Sequence, residues 1–101
     1  MAEFPKGDSG EWVRLTARVD GVVQAVGFRY WTVHQAGELG LTGTVRNNTD
    51  GSVGIVAEGP QSVVLEFRRW LRSPEAPGRV ENVEESISRA TGAFSNFRVV
   101  Y

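Results

Sequence analysis

The residues of this sequence that are best placed to do chemistry lie between Gly21 and Arg29. The segment reads Gly-Val-Val-Gln-Ala-Val-Gly-Phe-Arg and joins a strand-like pattern to a helix-like one. The first amides of a helix have no intrahelical hydrogen-bond partner, and with the positive end of the helix dipole they attract phosphate or carboxylate. Arg29 would place a cation in the first helical turn, which is unfavourable unless an anion joins it. The connection therefore predicts a local anion site that includes Arg29.

The elements on either side of this connection follow from hydrophobic periodicity. Residues 12–19 alternate between apolar and polar, which is typical of a half-buried strand. Apolar residues recur at helical spacing over 28–39, and Gly40 follows where a glycine often ends a helix. Second and third strands are expected over 42–47 and 52–58, joined by a turn in which Asp50-Gly51 supplies positive φ.

A second helix is expected after Pro60, because apolar residues form one stripe through Leu71. Residues 73–78 predict a loop, 80–87 a charged edge strand, and 97–101 a fifth strand. The order βαββαβ with a terminal strand predicts an α+β, ferredoxin-like sandwich. In that fold an antiparallel sheet of four to five strands carries two helices on one face.

This topology places Asn47 near the anion loop. A helical crossover makes the first and second strands point the same way, so both end at the same edge of the sheet. If the third strand lies between them, those ends are about 10 Å apart, two strand spacings. Asn47 is in phase with Val45, which predicts that its carboxamide faces the helices. An amide offers one acceptor and two donors and could hold a water molecule in a fixed orientation.

Composition limits the other possibilities. The 101 residues are enough for one domain, and we expect residues 11–101 to form it after a loosely attached or disordered extension over 1–10. The net charge of −1 does not favour a general nucleic-acid or membrane binder, and no apolar run approaches the length of a membrane span. There is no cysteine, which leaves the redox compartment open. The N-terminus has no secretory signal pattern, so we expect a cytoplasmic protein, and a monomer by default.

Three groups of residues carry a resemblance to a known family. They are Gly21-x-Val23-Gln24-x-Val26-x-Phe28-Arg29, then Ala36-x-x-Leu39-Gly40-Leu41-x-Gly43-x-Val45-x-Asn47, then Asp50-Gly51-x-Val53 with Glu58-Gly59. This pattern closely resembles the acylphosphatase family. The resemblance is dense over 13–59 and looser through Phe67, Leu71, Val80, Phe97 and Tyr101.

The resemblance implies an enzyme that hydrolyses small acyl phosphates to a carboxylate and inorganic phosphate without a metal or cofactor. It implies that Arg29 binds the phosphate and that Asn47 orients the attacking water. It also implies that the phosphoryl oxygens are cradled by the loop residues Val22, Val23, Gln24, Ala25, Val26, Gly27 and Phe28. The chemistry needs little acid catalysis, because the leaving group is a weakly basic carboxylate.

One position departs from the family pattern, since Ala25 stands where the family usually has glycine. If that position required positive φ, alanine would cost on the order of 1–2 kcal/mol. Because Arg29 and Asn47 are both present, we expect activity to be retained.

Other interpretations compete with this one. Arg29 could be an ordinary surface helix residue, and Asn47 could simply precede a turn. The same fold class also serves RNA recognition, but the expected third strand has no aromatic residue on which bases could stack. A phosphate-binding or carbamoyl-phosphate-handling domain like that of hydrogenase maturation proteins is the remaining alternative. Such domains normally sit in much longer chains, so a stand-alone enzyme is favoured. His34, the only histidine, has no evident partner for catalysis.

Overall fold

The computed structural model describes residues 11–24, 27–76 and 78–101. Two helices and five strands follow one another along the chain. They are β1 (Trp12–Val22), α1 (Phe28–Glu38), β2 (Thr42–Asn47), β3 (Val53–Pro60), α2 (Gln61–Leu71), β4 (Arg79–Arg89) and β5 (Phe97–Val99). The predicted ferredoxin-like βαββαβ order is confirmed, as is the terminal fifth strand. Within the described ranges, neither helix is long and apolar enough to cross a membrane.

The strands form one sheet in the order β4-β1-β3-β2-β5. Strand β3 therefore lies between β1 and β2, as the placement of Asn47 requires. Val53 of β3 pairs with Val19 of β1 on one side and with Asn47 of β2 on the other. Hence β1 and β2 are level at this edge, about 10 Å apart across β3.

The sheet is mixed, which corrects the expectation of an antiparallel sheet. Strand β5 runs parallel to β2, with Gly43 opposite Phe97 and Val45 opposite Val99. Strand β4 occupies one edge and β5 the other, so the chain from 90 to 96 must cross the sheet. It crosses at the end of the sheet where β4 finishes, so β5 starts at that end and runs opposite to β4, which is the direction of β2. Strands β1 and β4 are also longer than predicted, since β1 continues to Val22 and β4 to Arg89.

The hydrophobic core lies between the helices and one face of the sheet. The inward face of β1 has the predicted alternation, and α2 buries Val64, Phe67 and Leu71. Helix α1 buries its residues at helical spacing, with Phe28, Thr32 and Ala36 inside. Because Phe28 is fully buried one residue before Arg29, the core holds the start of α1 in place.

A buried carboxylate fastens the crossing segment to the sheet. Glu58 has no exposed surface, and its Oε2 accepts bonds from Nε of Arg14 at 2.7 Å and from the amide of Thr91 at 3.0 Å. Its Oε1 accepts the amide of Gly92 at 3.0 Å. Burial opposes ionisation, but the Thr91 amide, the Arg14 guanidinium and the Gly92 amide together lower the Glu58 pKa to about 2. This contact holds the segment that leads into β5.

Candidate active site

The connection between β1 and α1 forms one side of the candidate site. Val22 is exposed at the end of β1, while Val23 is buried in the core. Gly27 caps α1 with φ of +77°, a left-handed conformation that suits glycine. Ala25 and Val26, two of the predicted cradle residues, lie outside the described residues. The described part of the connection thus anchors both ends of the predicted loop.

The start of α1 has the character expected of an anion receptor. No side chain caps it, and its first turn holds no acidic residue. Among the described residues no group accepts a hydrogen bond from the amides of residues 28–30, which lie at the positive end of the helix dipole. Arg29 is half-buried in this turn, and within the described residues no carboxylate lies within salt-bridge distance of it. Amides and an uncompensated guanidinium in one turn suit a phosphate group.

Gln24 joins the loop to the turn that follows β2. Its Nε2 donates to the carbonyl oxygen of Asn48 at 2.9 Å and to that of Ser52 at 2.8 Å. The turn itself is closed by the amide of Asn48, which donates to the Ser52 carbonyl at 2.8 Å. Asp50 accepts the amide and hydroxyl of Ser52, and these bonds lower the Asp50 pKa. The side chain of Gln24 therefore ties the predicted phosphate loop to the strand that carries Asn47.

Asn47 has an unused acceptor at this edge. It is the last residue of β2 and is in phase with the fully buried Val45, so its side chain is on the helix-bearing side of the sheet. Its Oδ1 is buried, and no donor among the described residues bonds to it. A buried acceptor without a partner costs free energy unless water or a ligand satisfies it. The Asn47 acceptor must therefore be satisfied by a group other than the described residues.

A groove opens from Arg29 between α1 and β5. Its volume is about 570 Å³, and Gln24, Gly27 and Arg29 lie at its polar end. The remaining wall is mostly apolar and includes Phe28, Tyr30, Val33, Phe97, Val99 and Tyr101. The Tyr101 ring lies 5.5 Å from the guanidinium carbon of Arg29, close enough for a cation–π contact.

The structure brings together most of the residues that the sequence singled out. Gln24, Gly27, Phe28 and Arg29 line one groove, and Asn47 lies at the adjacent strand end. His34 is exposed on α1 and is not part of the groove lining. The bridging role of Gln24 and the position of Tyr101 against Arg29 were not predicted. Nothing in the local pattern indicates either contact, because both join segments distant in sequence.

Comparison with known proteins gives a consistent result. The family model described as Acylphosphatase matches residues 15–99. A protein named acylphosphatase from Arthrobacter sp. (strain FB24) is 70% identical over 101 residues, covering 100% of this chain and 93% of that protein. The crystal structure of acylphosphatase from Bacillus subtilis superimposes with a TM-score of 0.81 at 35% identity, covering 88% of this chain and 99% of the other. The structure of an acylphosphatase from Coxiella burnetii superimposes with a TM-score of 0.81 at 31% identity, covering 99% of this chain and 100% of the other.

Proposed function

Since this chain belongs to the acylphosphatase family, we propose that it hydrolyses acyl phosphates through Arg29, Asn47 and the loop from Val22 to Phe28. The products are a carboxylate and inorganic phosphate. The observation that carries the assignment of residues is the Oδ1 of Asn47, which has no partner among the described residues. Asn47 is level with Val19 of β1, and the residue after it is tied to the loop through Gln24.

The phosphoryl group binds at the start of α1. The amides of the loop and first helical turn donate to its oxygens, and the Arg29 guanidinium neutralises part of their charge. In phosphoryl transfer, charge is spread over the three equatorial oxygens in the transition state. Fixed donors aimed at those oxygens stabilise that state without reorganising during the reaction.

Asn47 positions the water. Its Oδ1 accepts a hydrogen bond from the water, and its amide group remains free to donate to a phosphoryl oxygen. Holding the water in line with the bond that breaks removes much of the entropic cost of the attack. The phosphorus–oxygen bond to the carboxylate breaks as the water oxygen bonds to phosphorus, and the carboxylate leaves without needing a proton.

Substrate hydrolysis tests this assignment. We expect the wild type to hydrolyse benzoyl phosphate in the presence of EDTA, and Arg29→Ala and Asn47→Ala to lose two or more decades in kcat/KM. Arg46→Ala is the matched control, because Arg46 is an exposed arginine beside Asn47 whose side chain alternates to the other face. We expect this control to stay within threefold of the wild type.

Asn47→Asp separates water positioning from simple loss of bulk. It keeps the shape and one acceptor but adds a negative charge beside the phosphoryl group, so it should lose at least one decade while remaining folded. Normal turnover by folded Arg29→Ala or Asn47→Ala would refute the assigned roles. A folded wild type that binds phosphate but hydrolyses no acyl phosphate would indicate a binding domain.

We also propose that the enzyme acts as a cytoplasmic monomer, that residues 11–101 form the catalytic domain, and that it uses no nucleic acid. The net charge of −1 and the lack of an aromatic residue in β3 support the last point. Light scattering tests the oligomeric state, and deletion of residues 2–10 tests the domain boundary. Gel retardation of single-stranded RNA at low salt tests whether the protein binds nucleic acid.

A further inference from the structure

The groove between α1 and β5 is larger than a phosphate site requires. Its volume of about 570 Å³ falls in the range of about 300–1,000 Å³ that is typical of pockets for complete small molecules. Arg29 and Gly27 occupy only its polar end. The rest of the groove is therefore available to another part of the substrate.

The directions of the two flanking elements show where the groove leads. Helix α1 starts at the site and runs away from it, so Val33 lies about 6 Å further along the axis than Arg29. Strand β5 runs parallel to β2 and so approaches the site from the same far end. Phe97 therefore lies deep and Tyr101 lies near Arg29, and the groove extends away from the phosphate along both elements.

The wall of this extension is apolar. Tyr30 and Val33 are three residues apart on α1 and so share one helix face. They face Val99 and Tyr101, while Phe97 is nearly buried at the base. Tyr30 is 65% exposed and Tyr101 is 95% exposed, so both rings are accessible for a ligand to cover.

We propose that this extension is an acyl-group subsite, and that Tyr30, Val33, Val99 and Tyr101 select acyl phosphates whose acyl group is aromatic or branched and apolar. With the phosphoryl group on Arg29, the acyl chain lies between α1 and β5. Asn47 on β2 is outside the described lining of the groove, so the chain and the attacking water do not compete for space. The subsite rests on the proposed function, because it takes the group attached to the phosphate.

Non-hydrolysable analogues measure the subsite without turnover. Acetonylphosphonate and phenacylphosphonate carry a methylene in place of the bridging oxygen and differ only in a methyl against a phenyl group. We expect the wild type to bind phenacylphosphonate about tenfold more tightly by calorimetry. That factor corresponds to about 1.4 kcal/mol, or about 55 Å² of apolar surface covered.

Two exposed aromatic residues provide a matched pair of variants. Tyr30→Ala should reduce the tenfold preference to about threefold, because it removes one wall. Trp12→Ala should leave the preference unchanged, since Trp12 is an exposed aromatic residue at the start of β1 that does not line the groove. Val33→Phe should fill the groove and weaken phenacylphosphonate at least tenfold while acetonylphosphonate binds as before, which also shows that the variant is folded.

Three outcomes would overturn the subsite. One is equal binding of the two analogues by the wild type, and another is an equal effect of Tyr30→Ala and Trp12→Ala on the preference. The third is that a phosphonate of the same type with a succinyl acyl group binds more tightly than phenacylphosphonate. That result would mean that Arg98, which also lines the groove, selects an acyl group with a carboxylate of its own. Hydrolysis of acyl phosphates distinguishes the two proposals: if neither acetyl phosphate nor benzoyl phosphate is hydrolysed, the proposed function fails, whatever the analogue preference.

Discussion

Replacing Gln24 tests whether the loop and the turn after β2 must be joined for catalysis. Gln24→Ala removes two hydrogen bonds, to the carbonyls of Asn48 at 2.9 Å and Ser52 at 2.8 Å. Each carbonyl keeps another donor, because the Gly51 amide bonds to Asn48 at 3.3 Å and the Asn48 amide to Ser52. Neither carbonyl oxygen loses all its donors, so the free energy of unfolding should fall by the ordinary net value of about 1 kcal/mol per bond, or about 2 kcal/mol in total.

The effect on activity should exceed the effect on stability. For a domain of this size, about 2 kcal/mol lowers the melting temperature by about 10 °C, and the protein stays folded at 25 °C. Asn47, however, directly precedes the residue that Gln24 holds. A shift of about 1 Å between the water and the phosphoryl group can cost on the order of a hundredfold in rate. We expect kcat/KM for benzoyl phosphate to fall between tenfold and a hundredfold.

Gln24→Glu is the matched variant. A carboxylate has the same shape but accepts rather than donates, so at neutral pH it faces two carbonyl oxygens with no bond to either. It should be less stable than Gln24→Ala by thermal melting, and no more active. If Gln24→Ala melts within 2 °C of the wild type with kcat/KM within threefold, or if Gln24→Glu is fully active, the bridge is not needed and the reasoning is wrong.

Three further predictions concern the loop, the helix cap and the buried carboxylate. Ala25→Gly should leave turnover unchanged or raise it, and a tenfold loss in a steady-state assay would contradict our interpretation of the loop. Gly27→Ala should destabilise the fold by about 1–2 kcal/mol because φ is +77°, whereas Gly37→Ala in the exposed last turn of α1 should stabilise it by about 0.5 kcal/mol; urea unfolding of both variants checks the sign. Glu58 has a folded pKa of about 2 against its ordinary 4.5, so its stabilisation is complete above about pH 4.5 and is lost as the pH falls towards 2. This difference between the two Glu58 pKa values corresponds to about 3 kcal/mol in the free energy of unfolding. The urea unfolding midpoints at pH 6 and pH 3 should therefore differ less in Glu58→Gln than in the wild type.

Most of the fold could be predicted because the apolar periods of the inner elements are regular. The alternation in β1 and the helical spacing of Phe28, Thr32 and Ala36 each bury the expected side chains. The direction of β5 could not be predicted in this way. It depends on how the segment after β4 crosses the sheet, and the contacts of Glu58 that hold this segment join residues 33 and 34 positions apart. Periodicity describes only neighbours along the chain.

Part of the candidate site could likewise be anticipated and part could not. Arg29 and Asn47 are found by combining a strand-to-helix connection with the direction of β2, which requires only topology. The bridge from Gln24 and the ring of Tyr101 over Arg29 depend on side-chain contacts between distant segments. A glutamine in a loop and a tyrosine near the end of a sequence are common, so neither residue type identifies its role.

The Glu58 contacts lie at one end of the sheet and the candidate site at the other, and β5 runs between them. At the end away from the site, Glu58 pairs with Thr42 and Arg14 across the sheet and holds Thr91. The chain then passes to β5, where the amide of Gly43 bonds to the carbonyl of Asn96 at 2.8 Å and fixes the entry of the strand. From there β5 runs towards the candidate site, and Tyr101, two residues after its end, lies against Arg29. The ion pair between Glu58 and Arg14, at the end of the sheet away from the candidate site, therefore helps to position β5 and with it one wall of the groove beside Arg29.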